Sequence, residues 1–334
     1  GARMVFATVE SLHLYLFKCG ANGNWTQTDL SASLPSPVHS HVQAVDVRQV
    51  PDGSIQIALA VGPRLGPDGG YATSTVYVET GLSAGLDEAG WLDAFQKFEK
   101  RTGGPAEAIV SGISLAHTTP DSSSLVLVGA SIHTVSNTWY FEADASAGAA
   151  WTELRIPEDA DKVLSYSIGR YAGHPGVWTM YRVAPDVALT FTTFTPDQFG
   201  KNINVSYTEI PAHATSFLVT PRDTQAPDIY VAGNGIAVYR GTHAAPERVT
   251  DTPGATVLWA EHSQIADHVA FVDANAALQI VSKPAGGSWS APYSLTSSVE
   301  VAALLGDPTS GKLQAVVITA GMALELRTIT AHGA

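Results

Sequence analysis

Nearly every apolar segment of this chain is short, alternating or β-branched, and ends at a Gly, Pro, Asn or Asp turn, as Gln43-Ala44-Val45-Asp46-Val47 does at Pro51-Asp52-Gly53. Alternation at period two between such turns predicts half-buried strands. The segments also recur. Met4 to Leu30 (MVFATVESLHLYLFKCGANGNWTQTDL) aligns in residue type with His268 to Leu295 (HVAFVDANAALQIVSKPAGGSWSAPYSL). In each, a strand and a tight turn lead to a second strand, then a Gly-rich turn and a short strand opening with Trp and Thr or Ser. That closing strand returns as Ala150-Trp151-Thr152-Glu153-Leu154 and, more loosely, as Val205-Ser206-Tyr207-Thr208-Glu209. Strand pairs joined by polar turns accompany these: Ile113 to His117 with Leu125 to Gly129, and Val301 to Leu305 with Leu313 to Thr319.

The meanders fall at about 4–30, 41–105, 108–156, 162–210, 214–250, 255–295 and 298–330, the first and last incomplete. Units of about 45–55 residues, each a four-strand meander, fit the blades of a β-propeller, in which radial repetition leaves only short protected edges. The expected fold class is therefore all-β: a single β-propeller domain over residues 1–334, with six or seven four-stranded antiparallel blades. Seven result if each incomplete end forms a three-stranded blade, six if the two merge to fasten the ring. A β-sandwich accommodates so many similar meanders poorly, and a parallel β-helix needs much shorter coils. One segment breaks the pattern. Leu86, Trp91, Leu92, Phe95 and Phe98 fall near helical spacing behind Asp87 and Glu88, and Gly103-Gly104 would stop the run, so a short helical insertion is expected near 87–101.

Charge narrows the partners. With 18 basic against 31 acidic residues the net charge is −13, and no run of basic residues is present. Nucleic acid is excluded as a natural partner, because its binding depends on counterion release by clustered cations. A single cysteine, Cys19, leaves no intramolecular disulfide and no cysteine-based zinc site. No apolar run is long enough to span a bilayer. The Gly1-Ala2-Arg3-Met4 start reads as an expression remnant or a processed end rather than a signal peptide. Asn24-Trp25-Thr26 and Asn204-Val205-Ser206 are N-glycosylation acceptors that matter only if the chain passes through a secretory pathway, so localisation stays open between that route and others.

No nucleophile elbow, phosphate-binding loop, dinucleotide fingerprint, zinc-protease motif or EF-hand occurs, so no cofactor is expected. His39-Ser40-His41 would place two imidazoles on one strand face, yet no third ligand lies nearby, and no metal site is assigned. In a propeller, the loops entering the first strand of each blade and those between second and third strands open on one face. That places His39, His41, His213, Arg64, Tyr71, His133 and Asn234 together there, with Tyr166 and Trp259 in inner strands. As a group they suit a small, partly aromatic ligand: Arg64, His41 and Tyr71 to polarise an oxygen, and His39, His133, Tyr166, His213, Asn234 and Trp259 to bind. The bland alternative for each is a rim, turn or packing residue. Asp46, Asp228 and Glu261 are candidate acids or bases, but no two of them are placed across one bond, as a glycosidase would require. Trp25, Trp151 and Trp289, read as openers of outer strands, suit packing between blades better than sugar stacking.

The meanders, the Asn-Trp-Thr and Ser-Trp-Ser closing strands and the lack of a cofactor motif resemble two groups. One is the fungal fucose-binding propeller lectins; the other is the fungal hetero-Diels–Alderases of tropolonic sesquiterpene biosynthesis. Both resemblances concern architecture and carry no residue role to a numbered position. A multivalent lectin repeats its binding side chains from blade to blade. Here His39, Lys97, Asp161, His213 and Asp251 are not one set repeated, which favours a single asymmetric pocket. The leading expectation is thus a cofactor-free cyclase of hetero-Diels–Alder type, orienting a terpenoid and an electron-poor, oxygen-bearing partner. A fucose-type lectin is the alternative, and a protein-interaction propeller the third reading.

Overall fold

The computed structural model describes residues 3–9, 13–20, 24–35, 40–50, 52–63, 74–99, 108–119, 122–131, 137–142, 152–155, 163–171, 174–183, 186–193, 202–204, 210–220, 227–240, 245–262, 266–296, 299–307, 312–319 and 324–329. They form seven antiparallel sheets, each a run of consecutive strands. The first holds β1 (Arg3–Val9), β2 (His13–Cys19) and β3 (Trp25–Asp29), and the second β4 (Ser40–Gln49), β5 (Ser54–Pro63) and β6 (Thr75–Ser83), followed by helix α1 (Glu88–Gln96). The third comprises β7 (Ala108–Thr119), β8 (Ser122–Ser131), β9 (Asn137–Glu142) and β10 (Thr152–Arg155), and the fourth β11 (Val163–Tyr171), β12 (His174–Val183), β13 (Asp186–Thr193) and β14 (Asn202–Asn204). The fifth consists of β15 (Ser216–Thr220), β16 (Asp228–Gly233), β17 (Gly235–Arg240) and β18 (Glu247–Thr250). The sixth contains β19 (Thr256–His262), β20 (Ala266–Val272), β21 (Leu278–Pro284) and β22 (Tyr293–Thr296), and the seventh β23 (Val299–Asp307), β24 (Lys312–Thr319) and β25 (Leu324–Ile329). By contact density the chain divides into two compact units, residues 1–161 with 194–199, and 162–193 with 200–334.

Turn chemistry sets the hairpins. At Pro51-Asp52-Gly53 the Gly53 N–H donates to Val50 O (2.8 Å) and Ser54 N–H to the Asp52 carboxylate (2.8 Å), with Gly53 at φ +87°. Only glycine adopts that conformation without strain. Three sheets have three strands among the described residues: the first and last, as the seven-blade alternative expected, and the second, where the expectation of four is corrected. In the second sheet, α1 follows β6 in the chain, where the helical insertion was expected. The helix is shorter than the sequence suggests. Asp87 caps it by accepting from Gly90 N–H (2.8 Å), and it ends at Lys97, which donates back to Ala94 O, well before the glycine pair. One closing strand also moves. Trp289 precedes β22 in an irregular stretch held by Ser290 N–H to Ser282 O (2.8 Å), and the described closing strand after β13 is Asn202–Asn204, while residues 205–209 lie outside the described set.

Within each unit, apolar residues fill the spaces between neighbouring sheets. Tyr230, Ile236 and Val238 of the fifth sheet meet Val257, Phe271 and Val281 of the sixth, with Trp289 packed against them. Trp178 and Phe191 of the fourth meet Phe217, Ile229 and Tyr239 of the fifth. Five of the seven first strands share a further feature: their register with the second strand slips near the start, at Val42/Ala44, Val110/Gly112, Val163/Ser165, Val257/Trp259 and Val299/Val301. Each slip is one extra residue, a bulge that re-aims side chains at the strand entry.

Candidate binding site at a sheet end

The sequence nominated residues near strand entries and second-to-third-strand turns. At one end of the fifth sheet the structure brings two of them together. The β16–β17 hairpin turns at Gly233-Asn234-Gly235, and both glycines make room for neighbours. A Cβ on Gly233 would stand 2.8 Å from the His213 ring carbon Cδ2 and 2.9 Å from its carbonyl oxygen. On Gly235, at φ +111°, a Cβ would meet Thr250 O at 2.4 Å and the Arg248 guanidinium at 2.5 Å. The hairpin therefore admits His213 on one side and Arg248 on the other. Arg248 donates through Nη2 to Asn234 O and through Nε to Asp251 (2.6 Å), and Thr250 and Thr252 share a hydroxyl bond (3.0 Å). His213 and Asn234 are exposed, and the Arg248 side chain is half-exposed. Arg248 was not among the nominated residues. The two glycines flanking Asn234, each closing against a neighbour, are the signal that could have found it.

The other described nominations, His41, Trp259 and Tyr166, lie on the second, sixth and fourth sheets. His41 is half-buried on β4, in register with Gly62, near the bulge at Gln43; Gln43 accepts a hydrogen bond from Ser74 Oγ. Trp259 lies on β19 and packs against a cluster of Ala270, Leu278, Ile280, Leu295 and Val317. Tyr166 occupies β11 in register with Thr179. Arg64, Tyr71, His39 and His133 lie outside the described residues. Asn24 is exposed in the turn before β3, as a glycan acceptor must be, and Asn204 ends β14. Among the described residues no group of His, Cys, Asp and Glu has the makings of a metal site, and no helix is long and apolar enough to cross a membrane.

Two of the three candidate acids have structural work. Asp46 on β4 accepts from Leu115 N–H on β7 (2.7 Å), tying the second sheet to the third. Asp228, whose side chain is 1% exposed, receives Arg240 Nη1 at 3.1 Å; the same guanidinium reaches Asp267 (2.6 Å) and Glu247 (3.3 Å), and Lys283 bonds Glu247. This five-residue network joins β16, β17 and β18 to β20 and β21, at the end of the fifth sheet opposite Asn234. Glu261 stands in register with His268, which is buried and bonded through Nδ1 to Ser282 Oγ (2.8 Å).

These groups make stability depend on pH. Burial pushes the Glu247 carboxyl up, but the hydrogen bond and charge of Lys283, with Arg240, outweigh it and hold the group below the ordinary carboxylate value. Burial pushes the His268 imidazole below its ordinary 6.5, against the opposing charge of Asp267. Both shifts give the unfolded chain more protons than the folded one in acid, so stability falls as the pH falls. The loss attached to His268 begins as pH drops through about 6.5, and that of Glu247 below its unfolded value of about 4.5. Unfolding midpoints measured from pH 8 to 4 should hold level at the alkaline end and decline below about pH 6.5, and His268→Gln should flatten the upper part of that decline; a level profile would remove both assignments.

Neither a family model nor a curated protein matches the chain. Solved structures do. The BP39L lectin from Burkholderia pseudomallei is similar over 100% of this chain and 93% of its own, with a TM-score of 0.61 at 14% identity. Prolyl oligopeptidase B from Galerina marginata matches 95% of the chain with a TM-score of 0.55 at 11% identity. A post-proline cleaving enzyme from Rickettsia typhi matches 100% with 0.53 at 7%. The chain spans about half the length of these two enzymes, 47% and 52%. With the meander sheets, these likenesses give the fold as an all-β propeller.

Proposed function

We propose that residues 1–334 form a single propeller that binds carbohydrate, and that the end of the fifth sheet bearing His213, Asn234 and Arg248 is one of its sites. The supporting observation is the character of that cluster. It is exposed and hydrophilic, and offers donors and acceptors side by side on a glycine-shaped hairpin. A ligand that carries its own hydroxyls exchanges water for such groups at little cost, whereas a cycloaddition needs an apolar enclosure that excludes water. The likeness to a lectin propeller over nearly the whole of both chains supports the same reading.

A glycan array followed by isothermal titration tests this. Saturable binding is expected, and Arg248→Ala should weaken it about tenfold, the scale of a charge-assisted hydrogen bond. A blank array, joined by turnover of a quinone methide with a humulene-type terpene, would overturn the proposal in favour of the hetero-Diels–Alder reading.

A further inference from the structure

The first sheet carries a second polar and aromatic constellation that the sequence reading passed over. β2 alternates, and its odd-numbered residues share a face: His13 and Tyr15 half-buried, Phe17 buried at the far end. Register places Asp29 of β3 directly opposite Tyr15. Cross-strand partners project to the same side of a sheet, so Asp29 reaches along that face to His13. Its Oδ2 lies 2.8 Å from His13 Nδ1, while its Oδ1 accepts from Ser31 N–H at 3.0 Å. A backbone amide thus fixes the carboxylate, and the carboxylate fixes the imidazole. The imidazole in turn lies over the Tyr15 ring, with centroids 6.4 Å apart and planes at 25°, and Tyr15 leans on Phe17 at 6.3 Å.

These groups are held but not used up. The His13 and Asp29 side chains are 39% and 30% exposed, and neither His13 Nε2 nor the Tyr15 hydroxyl has a hydrogen-bond partner among the described residues. Two oriented polar atoms therefore stand beside an aromatic ring at the surface, with a carboxylate behind them. Aromatic faces take the C–H side of a pyranose, and a fixed donor–acceptor set reads its hydroxyls, at low entropic cost because the side chains are already ordered. The net charge of −13 and the carboxylate at the centre turn away anionic ligands, which leaves a neutral sugar as the matching class.

We infer that the His13–Tyr15–Asp29 face is a second, chemically distinct carbohydrate site, reading a neutral pyranose by ring stacking and by hydrogen bonds to His13 and Tyr15. This rests on the carbohydrate reading proposed above, and the test separates the two. The full-length protein is titrated with methyl α-L-fucoside, methyl α-D-mannoside and methyl β-D-galactoside, as wild type, Tyr15→Leu, His13→Gln and Arg248→Ala. Two sites per chain are expected in the wild type with at least one of these sugars. Tyr15→Leu should abolish one of them and His13→Gln weaken that same site about tenfold, while the site lost in Arg248→Ala persists in both. Far-UV circular dichroism and unfolding midpoints near wild type would exclude loss through misfolding. Unchanged stoichiometry and affinity in the folded Tyr15→Leu and His13→Gln proteins overturn the second site and leave the first standing. A wild type that binds none of the three sugars and no glycan on the array overturns the carbohydrate reading, and this site with it.

Discussion

Replacing Arg240 with Met is expected to destabilise the protein by about 3–5 kcal/mol, the cost of removing one partner from a buried ionic network. The guanidinium, 23% exposed, serves three carboxylates at once: Asp228 at 3.1 Å, Asp267 at 2.6 Å and Glu247 at 3.3 Å. Burial opposes its charge, yet the fields of Asp267, Asp228 and Tyr230 prevail and raise its proton affinity above that of a free arginine. Methionine fills much the same volume, so the effect isolates charge rather than packing. Asp228 and Asp267 would then stand at the joint between the fifth and sixth sheets without the cation that pairs with them. Adding Asp228→Asn should recover part of the loss, because the neutral amide costs less to bury. Chemical denaturation of both variants measures this. Because Asp228 and Asp267 are largely buried, raising the salt concentration should weaken this network less than an exposed pair such as Lys97–Asp93. A loss below about 1 kcal/mol in Arg240→Met would mean that the network is no stronger than an exposed pair.

The same network marks where sequence reasoning stops. Its members run from Asp228 to Lys283 in five strands, and no local pattern links them; only the stacking of two sheets brings their ends together. Strands and hairpins were legible because their causes are local: alternation at period two, and turn residues such as Asp52-Gly53 whose hydrogen bonds and φ close within a few positions. The bulges were not, since one extra residue in a first strand leaves composition and periodicity almost intact, and only the register reveals it. Partial legibility is clearest at the candidate site. His213 and Asn234 could be nominated together because a meander returns the entry of its first strand and its second turn to the same end. Arg248, from the fourth strand, enters through space that Gly235 leaves open, a relation of shape rather than of sequence spacing. Trp289 shows the opposite error. Its likeness to Trp25 suggested a strand opener, but Gly286-Gly287 and Pro292 delay strand formation until Tyr293, while the ring still packs against the core between two sheets as expected.

Truncating Trp91 to Ala should cost about 3–5 kcal/mol, the range for removing a fully buried large aromatic from a core. The helical insertion follows from spacing alone: Trp91 and Phe95 sit four residues apart, on one face of α1, and both are 0% exposed. They close over Leu14, Leu16, Ile57 and Leu59, which joins the first and second sheets to the helix in one cluster; the Phe6 ring meets the indole edge-on at 5.5 Å. A nine-residue helix has little stability of its own. Its order depends on this docking, so loss of the indole should free the whole segment and with it the Lys18 Nζ bond to Leu86 O (2.6 Å). Amide exchange would then report accelerated opening across residues 86–98, beyond the single substituted position. Trp91→Phe provides the control. The indole N–H is buried without a hydrogen-bond partner among the described residues, so replacing it with a smaller ring removes a polar group that burial penalises while keeping most of the apolar contact. Phenylalanine should therefore cost well under half of what alanine does. Equal losses in the two variants would show that the shape of the indole, and not apolar burial, fastens the helix to the sheets.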